Sequence, residues 1–169
     1  MQRIFLIGFM GAGKTTIGKE LASLMKLSFV DLDSFIENRY HKTIRQIFDE
    51  KGEDAFRWME RKALREVAEF EDVVISTGGG TPCFYQNMLF MNKNGLTVFL
   101  DVSTPELTKR ISSNIGVRPM LKNYADNELT LFIEETVSRR RPYYEQAQLI
   151  FHTEIQDISA LCQQLNQQK

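Results

Sequence analysis

The spacing of apolar and polar positions changes several times along this chain, and each change marks an element. Arg3-Ile4-Phe5-Leu6-Ile7 is an apolar run suited to a buried strand. Thr16 to Met25 then sets Ile17, Leu21 and Leu24 at helical spacing. Ser28-Phe29-Val30-Asp31 reads as a second strand, followed by a short helix over 34–41. Thr43 can cap another helix from Ile44 to Gly52, where the glycine suits the exit. A longer helix over 53–70 carries Phe56, Met59, Ala63, Val67 and Phe70 as its buried stripe. Val73-Val74-Ile75-Ser76 is a third strand, and a helix follows across Tyr85 to Asn94, closed by Gly95. Thr97-Val98-Phe99-Leu100 is a fourth strand, and Ser103-Thr104-Pro105-Glu106 starts the next helix. From 112 to 126 the periodicity fails, as in a flap or lid. A helix then runs from about Asn127 to Arg141 and is stopped by Pro142. Leu149-Ile150-Phe151-His152 is a fifth strand, and a last helix presents Ile158, Leu161 and Leu165. Strands alternating with helices predict an α/β fold on a parallel sheet.

Composition narrows the class. The chain has 169 residues, the length of one compact domain spanning 1–169. It is 43% hydrophobic and 25% charged, as in a soluble globular protein. A net charge of -1 gives no pull toward nucleic acid or an acidic membrane. No apolar run is long enough to span a bilayer, and the N-terminus enters a strand rather than a signal peptide. Cys83 and Cys162 lie far apart and indicate neither a disulfide framework nor a zinc site. A cytoplasmic, monomeric enzyme is expected.

Gly8-Phe9-Met10-Gly11-Ala12-Gly13-Lys14-Thr15 fits the phosphate-loop pattern G-x-x-x-x-G-K-[ST], between a strand and a helix as that motif requires. Glycines let successive backbone N–H groups point at an anion, and the helix that follows turns its positive end to the same phosphates. Gly11, Ala12, Gly13, Lys14, Thr15 and Thr16 are therefore candidate ATP-binding residues. Lys14 supplies charge at the β- and γ-phosphates, and the Thr15 hydroxyl can ligate Mg²⁺.

Further candidates sit at strand ends, where ligands of open parallel sheets bind. Asp31 could hold a water on the metal, and Asp33 could accept a proton from an attacking hydroxyl. Asp33 could equally be the N-cap of the next helix. Gly78, Gly79 and Gly80 would let a substrate touch the backbone, or simply form a tight turn. Arg57 lies beside the buried stripe of its helix, where Glu60 one turn on can hold it. Arg118 falls in the flap and Arg140 near a helix end. Arginine grips carboxylates and phosphates with paired donors, but each of these alone could be a solvated surface charge.

Taken in order, the phosphate loop through Gly18, Asp31-Leu32-Asp33, Phe56-Arg57 with Glu60, Ser76-Thr77-Gly78-Gly79-Gly80, Arg118-Pro119-Met120-Leu121 and Arg140-Arg141-Pro142-Tyr143-Tyr144-Glu145-Gln146-Ala147 resemble the shikimate kinases over nearly the whole chain. That resemblance implies a three-layer P-loop kinase: a five-stranded parallel sheet in the order 2-3-1-4-5 flanked by helices, a substrate-binding helical segment at about 32–60 and a lid at about 112–126. It implies transfer of the γ-phosphoryl of ATP, with Mg²⁺, to the 3-hydroxyl of shikimate, on the route to chorismate and the aromatic amino acids. By resemblance Asp33, Arg57, Gly79 and Arg140 contact shikimate, and Glu60 orients Arg57. Arg118 reaches the ATP phosphates from the lid, and Arg110 lies near the adenine. Asp33, Lys14 and Arg118 would then form the catalytic set. The competing readings are another small-molecule kinase, such as a gluconate or nucleoside monophosphate kinase, a GTPase-like switch, or a kinase-shaped protein without activity. A switch would need N-K-x-D after a strand, and Asn92-Lys93-Asn94-Gly95 ends in glycine and follows a helix.

Overall fold

The computed structural model describes residues 2–113 and 126–167. Ile4, Phe5, Leu6 and Ile7 are fully buried, which places β1 (Arg3–Ile7) in the middle of a sheet rather than at an edge. On one side β1 pairs with β3 (Val73–Ser76), which pairs in turn with β2 (Ser28–Asp31). On the other side lie β4 (Leu96–Asp101) and then β5 (Leu149–His152). All pairings are parallel and the order is 2-3-1-4-5, as expected. The direction of crossing reverses at β1, so the loop leaving it opens into the crevice where such sheets bind ligands.

The helices are α1 (Lys14–Met25), α2 (Leu32–Tyr40), α3 (Ile44–Val67), α4 (Asn87–Asn94), α5 (Thr104–Ser113), α6 (Asp126–Tyr144) and α7 (Ile158–Gln167). α3 opens with a full capping box: Thr43 caps the Gln46 N–H while the Gln46 side chain returns to the Thr43 N–H. Gly52, at φ 80, breaks α3 into the two helical stretches that the spacing predicts. α2 and α3 pack on each other beside β2.

Several expectations needed correction. Phe70 is exposed, because the helix ends at Val67 and the i+3 phase no longer applies; its ring meets the edge of Phe35 instead. Leu24 is likewise exposed, and α1 buries Gly18, Leu21 and Ala22. α4 starts at Asn87, two residues late, because Tyr85 and Gln86 adopt left-handed φ of 48 and 55. Pro142 does not stop α6. The helix continues to Tyr144, whose fully buried ring packs on Phe99 at 5.2 Å and whose hydroxyl donates to the Gly79 carbonyl at 2.5 Å. That burial outweighs the local cost of a proline two residues before the helix end. Among the described residues, no helix is long and apolar enough to cross a membrane.

Candidate active site

A cleft of about 580 Å³ opens at the carboxyl ends of β1, β2 and β3. Its floor is the loop after β1, with Gly11, Gly13, Lys14, Thr15 and Thr16 in the lining. Gly13 precedes α1 at φ 92, a left-handed conformation that costs a side-chain-bearing residue far more than glycine. Lys14 is buried, with Nζ donating to the carbonyls of Gly8 at 2.8 Å and Phe9 at 2.9 Å, which holds its ammonium across the loop. Ala12 differs from its neighbours: it packs into the core, and its N–H turns back to the Phe9 carbonyl at 3.2 Å. Arg110, on α5, reaches over the loop with Nη1 3.4 Å from the Gly11 carbonyl, while Glu106 holds its Nε at 2.7 Å.

The two acids at the end of β2 and just beyond it divide the work between them. Asp31, not Asp33, is the N-cap of α2: its Oδ1 accepts from the Ser34 N–H at 3.1 Å. Its Oδ2 accepts from the Thr15 hydroxyl at 2.7 Å, tying β2 to the phosphate loop. Register places Asp31 beside Ser76, so the phosphate loop, this acid and the glycine run lie at one sheet edge. Asp33, left out of the cap, faces the cleft. Burial, followed by the charges of Glu60 and Asp31, pushes its carboxyl up to about 6, with Lys14 pulling the other way. A carboxylate there remains ionised at neutral pH but holds a proton better than an ordinary aspartate.

The glycine run is surrounded by charged groups. A Cβ on Gly78 would lie 2.8 Å from Glu60 Oε1 and 3.2 Å from Asp33 Oδ1, and one on Gly80 would lie 2.5 Å from Arg57 Nη2. Arg140 Nη1 stands 3.5 Å from where a Gly79 Cβ would be. Asp33, Arg57 and Arg140, far apart in sequence, therefore converge on one turn. Arg57 is only 7% exposed, and its guanidinium lies against the rings of Phe84 at 4.4 Å and Phe56 at 5.2 Å. Nη1 donates to Glu60 Oε2 at 2.9 Å. Nε and Nη2 both meet Glu53 Oε1 at 3.3 Å, longer than a strong charged hydrogen bond. Arg140 stands 5.7 Å over the Phe9 ring.

Arg118 and nearly all of the segment 112–126 lie outside the described residues. The Thr15 hydroxyl and Asp31 carboxylate suit Mg²⁺: both are hard oxygen donors, and this ion usually takes one or two protein ligands and keeps several waters. Sequence reasoning missed Thr81, Glu53 and Tyr144. Glu53 was findable, four residues before Arg57 on one helix face. The Thr81 hydroxyl donates to Glu60 Oε1 at 2.6 Å, a contact that no local pattern announces. Tyr144 was hidden behind the proline expected to end its helix.

Comparison with known proteins identifies a family. The shikimate kinase family model matches residues 10–168. The shikimate kinase of Parabacteroides distasonis is 58% identical over 154 residues, covering 91% of this chain and 89% of that one. The crystal structure of shikimate kinase from Bacteroides thetaiotaomicron superposes with a TM-score of 0.92 at 50% identity, covering 99% of this chain and 97% of that one. Shikimate kinase from Acinetobacter baumannii in complex with shikimate is similar at a TM-score of 0.86 and 32% identity, over 99% of this chain and 92% of that one.

Proposed function

The chain belongs to the shikimate kinase family, and on that premise we propose how its residues divide the work of phosphoryl transfer. The enzyme is an ATP-dependent phosphotransferase that converts shikimate and ATP to shikimate 3-phosphate and ADP. We take 1–169 as one kinase domain, with 32–60 as the segment that receives the acceptor.

The backbone of the phosphate loop, with Lys14, binds the β- and γ-phosphates. The Thr15 hydroxyl, and Asp31 through a water, would hold Mg²⁺, which supplies positive charge to the phosphate oxygens. Arg110 lies toward the base. Arg118 is assigned to the phosphates on its sequence motif alone.

Shikimate carries a carboxylate and ring hydroxyls. Arg57 and Arg140 grip the carboxylate, the Nε–Nη2 edge of Arg57 exchanging the long Glu53 contact for it. Gly78, Gly79 and Gly80 allow the ring to lie against backbone. Asp33 then faces the 3-hydroxyl. As that oxygen bonds to the γ-phosphorus, the bond to the bridging oxygen breaks and its electron pair leaves on ADP; the hydroxyl proton passes to Asp33. A carboxyl near 6 suffices for this, because the transition state is loose and the proton leaves late.

The observation that carries the reading is Asp33, half-buried and not spent as a helix cap, in the same cleft as Lys14 and beside a turn against which Arg57 is packed. The test is a coupled ADP-release assay with Mg²⁺-ATP and shikimate, gluconate or AMP as acceptor. Turnover should require shikimate. ADP release driven by gluconate or AMP instead would overturn the acceptor assignment.

A further inference from the structure

For Arg57 to grip a carboxylate, its guanidinium must be held in one orientation before substrate arrives. Glu60 holds one edge, but Glu60 is itself a long side chain one helical turn away and needs fixing. Its remaining oxygen, Oε1, accepts from the Thr81 hydroxyl at 2.6 Å. Thr81 is fully buried and Glu60 is 1% exposed, so no bulk water can take over if that donor is lost.

Thr81 is anchored on its own account. Its N–H donates to the Gly78 carbonyl at 3.1 Å, closing the glycine turn. Its carbonyl accepts from Asn87 Nδ2 at 3.0 Å, and Asn87 Oδ1 accepts from Arg65 Nη1 at 3.2 Å. The hydroxyl therefore hangs from backbone pinned to the turn and to α4, and it passes that rigidity through Glu60 to Arg57. The crowding at Oε1, 2.8 Å from where a Gly78 Cβ would sit, leaves the carboxylate little other room.

We propose that Thr81 is a positioning residue for the acceptor: its hydroxyl fixes Glu60, and through Glu60 it presets the carboxylate-binding edge of Arg57. The proposal rests on the reading of Arg57 as the carboxylate anchor.

Steady-state kinetics of Thr81→Val test it. Losing one hydrogen bond to a charged group should raise the KM for shikimate about tenfold. The KM for ATP should hold within about twofold, and kcat should fall by less than the shikimate KM rises. Thr81→Ser should restore the shikimate KM, and Thr81→Val should add almost nothing in a Glu60→Ala background, because both changes cut the same link. Where Thr81→Val does not accumulate, Thr81→Ala removes the same hydroxyl without bulk. A shikimate KM unmoved by Thr81→Val, an equal rise in both KM values, or full additivity with Glu60→Ala would overturn the proposal. If Arg57→Ala also left the shikimate KM unchanged, the fault would lie with the anchor reading itself; if Arg57→Ala raised it while Thr81→Val did not, only the role of Thr81 would fall.

Discussion

Replacing Asp33 by asparagine should make the protein more stable while removing most of its activity. The cause lies in the cleft: burial, then the charges of Glu60 and Asp31, raise the carboxyl from 3.8 to about 6. The folded state therefore favours the protonated form. Its penalty is full above about pH 6, shrinks as pH falls from there toward 3.8, and is gone below that. At neutral pH the shift corresponds to about 3 kcal/mol of lost stability. Asp33 keeps some access to water, which screens its charge, so about 2 kcal/mol is the working figure. Asparagine carries no charge and escapes the penalty. Urea unfolding of both proteins without ligands should show Asp33→Asn more stable by that amount near pH 8, with the gap down to about a third near pH 4.5. Turnover should fall by about two to four orders of magnitude, as expected for losing a proton acceptor. An Asp33→Asn protein no more stable than its parent near pH 8, or a gap indifferent to pH, would refute the account of the cleft's electrostatics.

The same carboxyl should give kcat/KM for shikimate a one-proton acid limb near pH 6, since protonated Asp33 cannot accept the hydroxyl proton; a profile flat to about pH 5 would count against it. Arg57→Ala should weaken shikimate binding by about 2–5 kcal/mol while leaving ATP binding intact, which isothermal titration with each ligand can separate. Gly80→Ala keeps an ordinary backbone at φ -92 but drives a methyl to 2.5 Å from Arg57 Nη2, so the shikimate KM should rise with little change in the ATP KM. Lys14→Ala should abolish phosphoryl transfer with the far-ultraviolet spectrum unchanged, and retained activity would contradict the phosphate-loop assignment.

Legibility from sequence followed the range of the interactions. The five strands could be expected because each apolar run is local, and the phosphate loop needs only neighbours along the chain; their order came from the resemblance to the shikimate kinases, not from any local pattern. Arg57 and Glu60 were readable as a pair because three residues on a helix place them on one face. Asp33 was ambiguous for a definite reason: it could have been spent as the cap of α2, and that task falls instead to Asp31, whose other oxygen takes the Thr15 hydroxyl across sixteen residues. Phe70 and Leu24 fit helical spacing, yet the chain has left the helix at one and faces solvent at the other. Thr81 and Tyr144 act through contacts over 21 and 65 residues, and no periodicity carries such information.

Between β2 and β3 the chain makes one continuous excursion, α2 and α3, that carries Asp33, Arg57 and Glu60. The loop that handles the nucleotide precedes it and belongs to β1. On the proposed assignment, donor chemistry and most of the acceptor's recognition occupy separate stretches of one polypeptide, joined by the Thr15–Asp31 bond beside the cleft that they share. A graft of that excursion could redirect such a scaffold toward a different alcohol, provided that the incoming piece again ends β2 in an acid that reaches Thr15.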